Sequence, residues 1–270
     1  MKRFRILAWL VLAAMLVISV ASGFVPGASY SEQHRELTDA PPSVHFPLGT
    51  DDLGRDRLVR LLCATRISLL LAGAAAMGAL LLAAIVGGAA GYCGGWFDRL
   101  TVRAIDLMLS LPWLFLLIAA RALLPLNAAP TTSLAVTYLL LALLGWAAPA
   151  RVIRAGVRSF RESDFVLQAR ALGCTEAHVL VRHILPNLRP VLTAQFWTSI
   201  PVFILAEANL GFLGLSAGEP FPTWGNLLRE LQSPLMWRAE AFAPVAAVAL
   251  TVLCFQFIAP WSVRKAGSQA

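Results

Sequence analysis

Residues 67–90 read ISLLLAGAAAMGALLLAAIVGGAA, twenty-four positions without a charged side chain. A helix crosses the hydrocarbon core of a bilayer with roughly 20 consecutive apolar residues, so this stretch is long enough to span a membrane. Its apolar residues are continuous and rich in Leu and Ala, whereas a transmembrane barrel strand alternates over about ten residues. In lipid a continuous run satisfies its backbone N–H and C=O groups internally only as a helix. The stretch therefore predicts a spanning helix and an all-α membrane fold.

Working outward, five more runs of this kind lie at 6–24, 105–123, 132–150, 190–210 and 241–260. They predict a polytopic protein of six spans. The composition agrees: 58% of residues are hydrophobic and 14% charged, against about 45–50% and about 25% in soluble domains. The first run follows Lys2, Arg3 and Arg5 and also fits a signal peptide cleaved near Ala21-Ser22-Gly23. Its length and the spans behind it favour a retained helix. Cys63, Cys93, Cys174 and Cys254 lie far apart without a CxxC pair, which indicates packing residues rather than a disulfide framework or a zinc site.

The net charge of +7 follows topology. With the N-terminus inside, six alternating spans put 14 of the 22 Lys+Arg on the inner side: Lys2, Arg3, Arg5, Arg99, Arg103, seven arginines from Arg151 to Arg189, Arg264 and Lys265. The other eight fall outside among nine acids. This asymmetry obeys the positive-inside rule and predicts two cytoplasmic termini. The outer loops are then 25–66, a short one near 124–131, and 211–240; the inner loops are 91–104 and 151–189.

The long inner loop reads RVIRAGVRSFRESDFVLQARALGCTEAHVLVRHILPNLR from Arg151 to Arg189. Ser159 to Glu162 has capping-box spacing, predicting a helix from there to Leu172. Gly173 offers a left-handed C-cap, Thr175 an N-cap with Glu176 in the next first turn, and Pro186 a stop. On the second helix Ala177, Leu180, Val181 and Ile184 recur at helical spacing as an apolar stripe. Such an element either docks into a partner's groove or lies in the headgroup layer. Spans close on both sides argue against a DNA-reading helix-turn-helix.

These residues carry a family resemblance. Gln168-Ala169-Arg170-Ala171-Leu172-Gly173, then nine residues, then His183-Ile184-Leu185-Pro186, resembles the EAAxxxG(x9)IxLP loop of permease subunits of bacterial ABC importers. PLGTDDLGRDRLVRLLCATRISLL at 47–70 and LGFLGLSAGEPFPTWGNLL at 210–228 look like segments of the C-type permease in the dipeptide, oligopeptide and nickel branch. Leu167 and Gln168 stand where the loop motif has Glu and Ala, and FIAPWSVRKAGSQA replaces the usual Gly-Asp and Arg-Asp containing tail. The resemblance implies a type I importer permease fold. Residues 1–66 would hold the first helix and a periplasmic loop, 67–260 the core permease domain, and 261–270 a cytoplasmic tail. It implies a multi-pass protein of the bacterial inner membrane that carries di- or oligopeptides or a related solute such as nickel chelates. Its partners would be a B-type permease, two ABC ATPases, and a periplasmic or lipid-anchored solute-binding protein, with the bilayer around it and no nucleic acid. The coupling loop to the ATPases would comprise Ala169, Arg170, Ala171, Leu172, Gly173, Ala177, Leu180, Val181, Ile184, Leu185 and Pro186.

A Walker A loop needs GxxxxGK[ST], and the only lysines, Lys2 and Lys265, do not follow a glycine. ATP and Mg are therefore expected on partner chains, with no cofactor on this one. His34, His45, His178 and His183 form no HExxH; no catalytic or metal-binding residue is expected. Glu207, near the outer end of the fifth span, must face protein or water. It is a candidate pathway or gate residue, or else a structural hydrogen-bonding group. Asp106, with Asp98, Arg99 and Arg103, reads as an interfacial charge cluster. Asp51, Asp52 and Asp56 interleave with glycines and with Arg55 and Arg57, which fits a neutralised, capped turn or short helix, a candidate dock for the binding protein, better than a cation site. Trp224 with Pro220 and Pro222 reads as a plug. A secondary transporter would show inverted repeats or paired broken helices, and neither pattern is visible in the sequence; a membrane scaffold without transport is a further alternative.

Overall fold

The computed structural model describes residues 2–24, 29–123, 129–232 and 239–267, with side chains described for 3–23, 29–123, 129–232 and 239–259. The expected short outer loop near 124–131 and the last residues of the tail lie mostly outside them. Every regular element among the described residues is a helix, apart from one isolated bridge between Thr50 and Asp56. The elements used below are α1 (Lys2–Ala21), α2 (Arg57–Cys93), α3 (Gly95–Ser110), α4 (Trp113–Ala122), α5 (Pro130–Leu144), α6 (Ala147–Phe160), α7 (Asp164–Ala171), α8 (Glu176–His178), α9 (Leu185–Asn187), α10 (Arg189–Phe212), α11 (Trp224–Arg229) and α12 (Ala243–Gly267).

Five helical stretches are long and apolar enough to cross a membrane, or six if one bent pair counts as a span. That pair is α3 and α4, which meet at 89° where a straight third span over 105–123 was expected. The cause is Pro112, which disfavours helical backbone in the residue before it; Leu111 is extended, with ψ 137°. The second span begins ten residues earlier than hydropathy suggested, because the Asp56 carboxylate caps α2 by accepting from the amides of Leu58 and Val59. Apolarity cannot report a helical turn made of arginines. The fourth span likewise continues through α6 to Phe160.

Small residues draw α2 onto its neighbours. Its buried positions are mostly Ala and Gly, and a Cβ on Gly87 or Gly91 would lie 2.5 Å from the carbonyl oxygen of Ala150 or Arg154 on α6. Without water to drive association, close backbone approach of this kind is how membrane helices gain contact. The first core cluster joins α1, α2, α5, α10 and α12 around residues such as Ala76, Leu141, Ile204 and Trp224. The second joins α2, α6 and the inner loop through Ile153, Val157, Val166, Val179 and Ile184.

Aromatic pairs align the chain ends. Phe4 stacks on Phe257 with ring centroids 6.0 Å apart, and Trp9 meets Trp197 edge-on at 4.9 Å. Trp197 sits early in α10, so the first turns of α1 and the Phe257 turn of α12 pack at the end of α10 that follows the inner loop. Opposite ends of the molecule therefore carry the two polar assemblies described next.

Candidate functional site

The inner loop is fastened to the span ends by charge. Asp98 on α3 accepts from Arg154 on α6, with Nη2 to Oδ2 at 2.6 Å and an Nε contact beside it, and Arg158 approaches at 3.8 Å. Arg151 pairs with Asp106. Arg151, Arg154 and Arg158, three and four residues apart, share one helix edge, and that edge faces α3. Of the arginines near these acids in sequence, Arg99 donates to the Gly95 carbonyl at 3.3 Å.

A second fastening is the triad Tyr92, Arg170 and Glu176. The Tyr92 hydroxyl donates to Glu176, and Arg170 Nη2 donates to the Tyr92 oxygen at 3.1 Å and to the Glu176 carboxylate at 3.2 Å. It joins the end of α2 to α7 and α8. The Tyr92 hydrogen bond, and next the Arg170 charge, hold the Glu176 carboxyl below its usual range.

Between these anchors the loop folds as two helices about Gly173, whose φ of +82° is the left-handed region that glycine enters without strain. The Gly173 amide donates to Arg170 O at 2.9 Å and that of Cys174 to Ala169 O at 3.1 Å. Thr175 caps the next helix as expected, its hydroxyl accepting from the His178 amide. One local expectation fails. The first helix starts at Asp164 rather than Ser159, because Ile153 and Val157 keep the preceding α6 buried and helical through Phe160. The second helical run ends at Asn187, one residue past Pro186, which stands in the first turn of its last segment, α9.

The largest departure is the turn between α8 and α9. Val179–Ile184 is a π-helix, so Val179 and Ile184 share the inward face and both are buried. The stripe read at 3.6 residues per turn is split: Ile184 is inside, Leu180 half-buried, Ala177 and Val181 exposed. Ala169 packs inward, so what it approaches closely is the chain's own span ends. Leu185 and Pro186 are half-buried, while Ala171 is exposed, Leu172 is 84% exposed and Val181 63%. One face of the element is thus nailed to the spans and the other presents unpartnered apolar side chains.

The opposite end carries a buried charge network. Asp51 accepts backbone amides from Leu53 at 3.0 Å and Arg55 at 2.8 Å, and the Arg55 Nε at 2.6 Å. Arg55 and Arg60 both reach Glu219, at 2.5 and 3.4 Å, and Arg60 and Arg57 approach Glu230 at 3.8 and 3.9 Å. The network ties the first outer loop to the third, 211–240. Arginines neutralise Asp51 as the sequence suggested, but Arg60, only 1% exposed, was hidden within an apparent loop. Burial, only partly offset by Arg60, pushes the Glu230 carboxyl up to about 7.

Glu207 is fully buried and its Oε1 accepts from Ser216 Oγ at 2.7 Å, with Thr223 and the Gly225 backbone beside the carboxylate. Trp224 is completely buried and donates through Nε1 to Thr65 Oγ1 at 3.2 Å, which fixes the Pro220–Trp224 stretch against α2. Gly211 and Gly225 let α10 and α11 touch, since a Cβ on Gly211 would lie 2.6 Å from the Gly225 Cα.

A family model described as binding-protein-dependent transport system inner membrane component matches residues 68–267. The chain is 32% identical over 260 residues to the dipeptide transport system permease protein DppC of Alkalihalophilus pseudofirmus, covering 95% of this chain and 83% of that protein. It is 31% identical over 264 residues to the oligopeptide transport system permease protein OppC of Bacillus subtilis, covering 96% and 85%. To the glutathione transport system permease protein GsiD of Pectobacterium atrosepticum it is 33% identical over 223 residues, covering 82% and 72%.

Proposed function

Because the chain belongs to the inner membrane components of binding-protein-dependent transport systems, we propose that it is the C-type permease of an ABC importer for peptides, energised through the loop Arg151–Arg189. The relatives' dipeptide, oligopeptide and glutathione permeases support a small peptide as the substrate. The chain pairs with a B-type permease to enclose the path, two ATPases bind below and hydrolyse ATP with Mg, and a solute-binding protein docks above. Both termini then face the cytoplasm, as the inner excess of arginine requires.

The observation that carries the coupling role is the two-faced inner loop. Val166, Ala169, Val179 and Ile184, with the Tyr92–Arg170–Glu176 triad, weld it to α2, α3 and α6. Ala171, Leu172, Ala177 and Val181 face away from them. A push on the free face is transmitted to the spans as a rigid-body displacement, the way a partner biases a two-state assembly. Glu207 holds the segment from Ser216 to Gly225 on the outer end of α10, where a gate would close. Its role is to set the position of that segment.

The test is co-purification from detergent-solubilised membranes with ATPase activity assayed on the eluate. Leu172→Glu and Val181→Glu should abolish ATPase recovery while the B-type permease still co-elutes. Gly173→Asp should do the same. ATPase recovery and transport unchanged in all three would sink the docking assignment.

A further inference from the structure

Cys174, His178 and His183 bring one thiol and two imidazoles together, a ligand atom from each lying within 4.8 Å of the other two. The spacing explains the convergence only with the observed backbone. His178 and His183 are five residues apart, which on a regular α-helix turns the second about 140° away from the first. The wider π turn of Val179–Ile184 narrows that offset and leaves the two rings 5.6 Å apart. Counting cysteines alone hides this group, because two of its three donors are histidines.

Nothing else in the described residues occupies these donors. Neither ring nor the thiol makes a side-chain hydrogen bond or ion pair, and Cys174 is a free cysteine. His178 is exposed and the other two are half-buried, so ligand atoms can rotate and an ion can enter. Glu176, the nearest carboxylate in sequence, is held by Tyr92 and Arg170.

We propose that Cys174, His178 and His183 form a zinc-type divalent metal site on the inner loop. One thiolate with two imidazoles suits a borderline-soft ion in tetrahedral geometry, leaving water in the fourth position. Bond lengths of about 2.3 Å to sulfur and about 2.0–2.1 Å to nitrogen set such donors roughly 3.3–3.6 Å apart. Side-chain rotation closing about 1 Å completes the site. The bound ion staples the residue after the Gly173 turn to both ends of the π segment. The site rests on these three side chains alone and holds whether or not the loop docks an ATPase.

The experiment is metal titration of the chelator-washed full-length chain, purified in detergent on a tag without histidines. Zn2+ is measured by competition with a chromophoric chelator, and Co2+ by its thiolate charge-transfer absorption. One equivalent of Zn2+ should bind, and Co2+ should give a thiolate band. Cys174→Ser should remove the band, and His178→Gln or His183→Gln should weaken Zn2+ binding at least about tenfold. A His34→Gln/His45→Gln chain, altered only in the first outer loop, should bind as wild type. All variants are compared as single size-exclusion peaks. No thiolate band in wild type, a band that survives Cys174→Ser, or Zn2+ affinities within twofold across the three variants would overturn the site.

Discussion

The two ends of this molecule handle polar residues in opposite ways. At the outer end, Asp51, Arg55, Arg57, Arg60, Glu219 and Glu230 form a network that closes on itself and locks two loops distant in sequence. At the inner end, Arg154 with Asp98 and Arg170 with Tyr92 and Glu176 anchor an element whose far side stays exposed and apolar. The outer end is finished within the chain. At the inner end Leu172 and Val181 stay exposed, 84% and 63%, and the proposed docking role rests on that difference.

Changes at the outer end should therefore damage the fold most. Asp51→Ala strips Arg55 and Arg60 of a shared carboxylate that is almost wholly buried, and breaking one side of a buried pair costs about 3–5 kcal/mol. The detergent-solubilised chain should lose thermal stability by the corresponding shift in Tm; an unchanged Tm would mean that the network is decorative. Glu230 tests the same region through pH. Its carboxyl titrates near 7 in the fold and near 4.5 when exposed. Between those values the folded chain holds the extra proton, so stability falls as pH rises through that window and stays lowered above it. The contribution is on the order of 3 kcal/mol. Glu230→Gln should flatten the slope of Tm against pH, and an equal slope in both chains would remove Glu230 as its source.

Effects at the inner end should be smaller for the fold. Gly173→Ala meets no neighbouring atom but must take a φ of +82°, which costs about 1–2 kcal/mol for a residue with a Cβ. Limited proteolysis should cut the turn faster in that variant. Leu172→Glu, on a side chain already exposed, should shift stability by about 0.5 kcal/mol or less while eliminating ATPase recovery. That pairing of a silent fold and a lost assembly is the sharpest form of the contrast, and a large drop in Tm for Leu172→Glu would blur it.

Hydropathy made the helices legible because lipid leaves a continuous apolar run no alternative to the helix. It misplaced their ends wherever polar side chains continue the backbone pattern, as Arg57 and Arg60 do in α2 and Arg151, Arg154 and Arg158 do in α6. The capping residues Asp56, Gly173 and Thr175 act locally, so Gly173 and Thr175 were readable as stop and start. The π turn was not readable, because burial of Val179 and Ile184 against α6 overrides the 3.6-residue period that sequence inspection assumes.

What residues could specify from their own chemistry was membrane residence, helicity and the asymmetry of charge, and the ordered segments around Gly173 and Leu210 carried the permease kinship. Those are properties of runs, turns and motifs a few residues long. The pairing of Asp98 with α6, the reach of Arg60 to Glu219 across 159 positions, the exposure of Leu172 and the convergence of Cys174 with two histidines all depend on which helices lie side by side. Such neighbours are chosen by packing of the whole bundle, where Gly87 and Gly91 admit α6 to α2, and a local pattern contains no record of that choice.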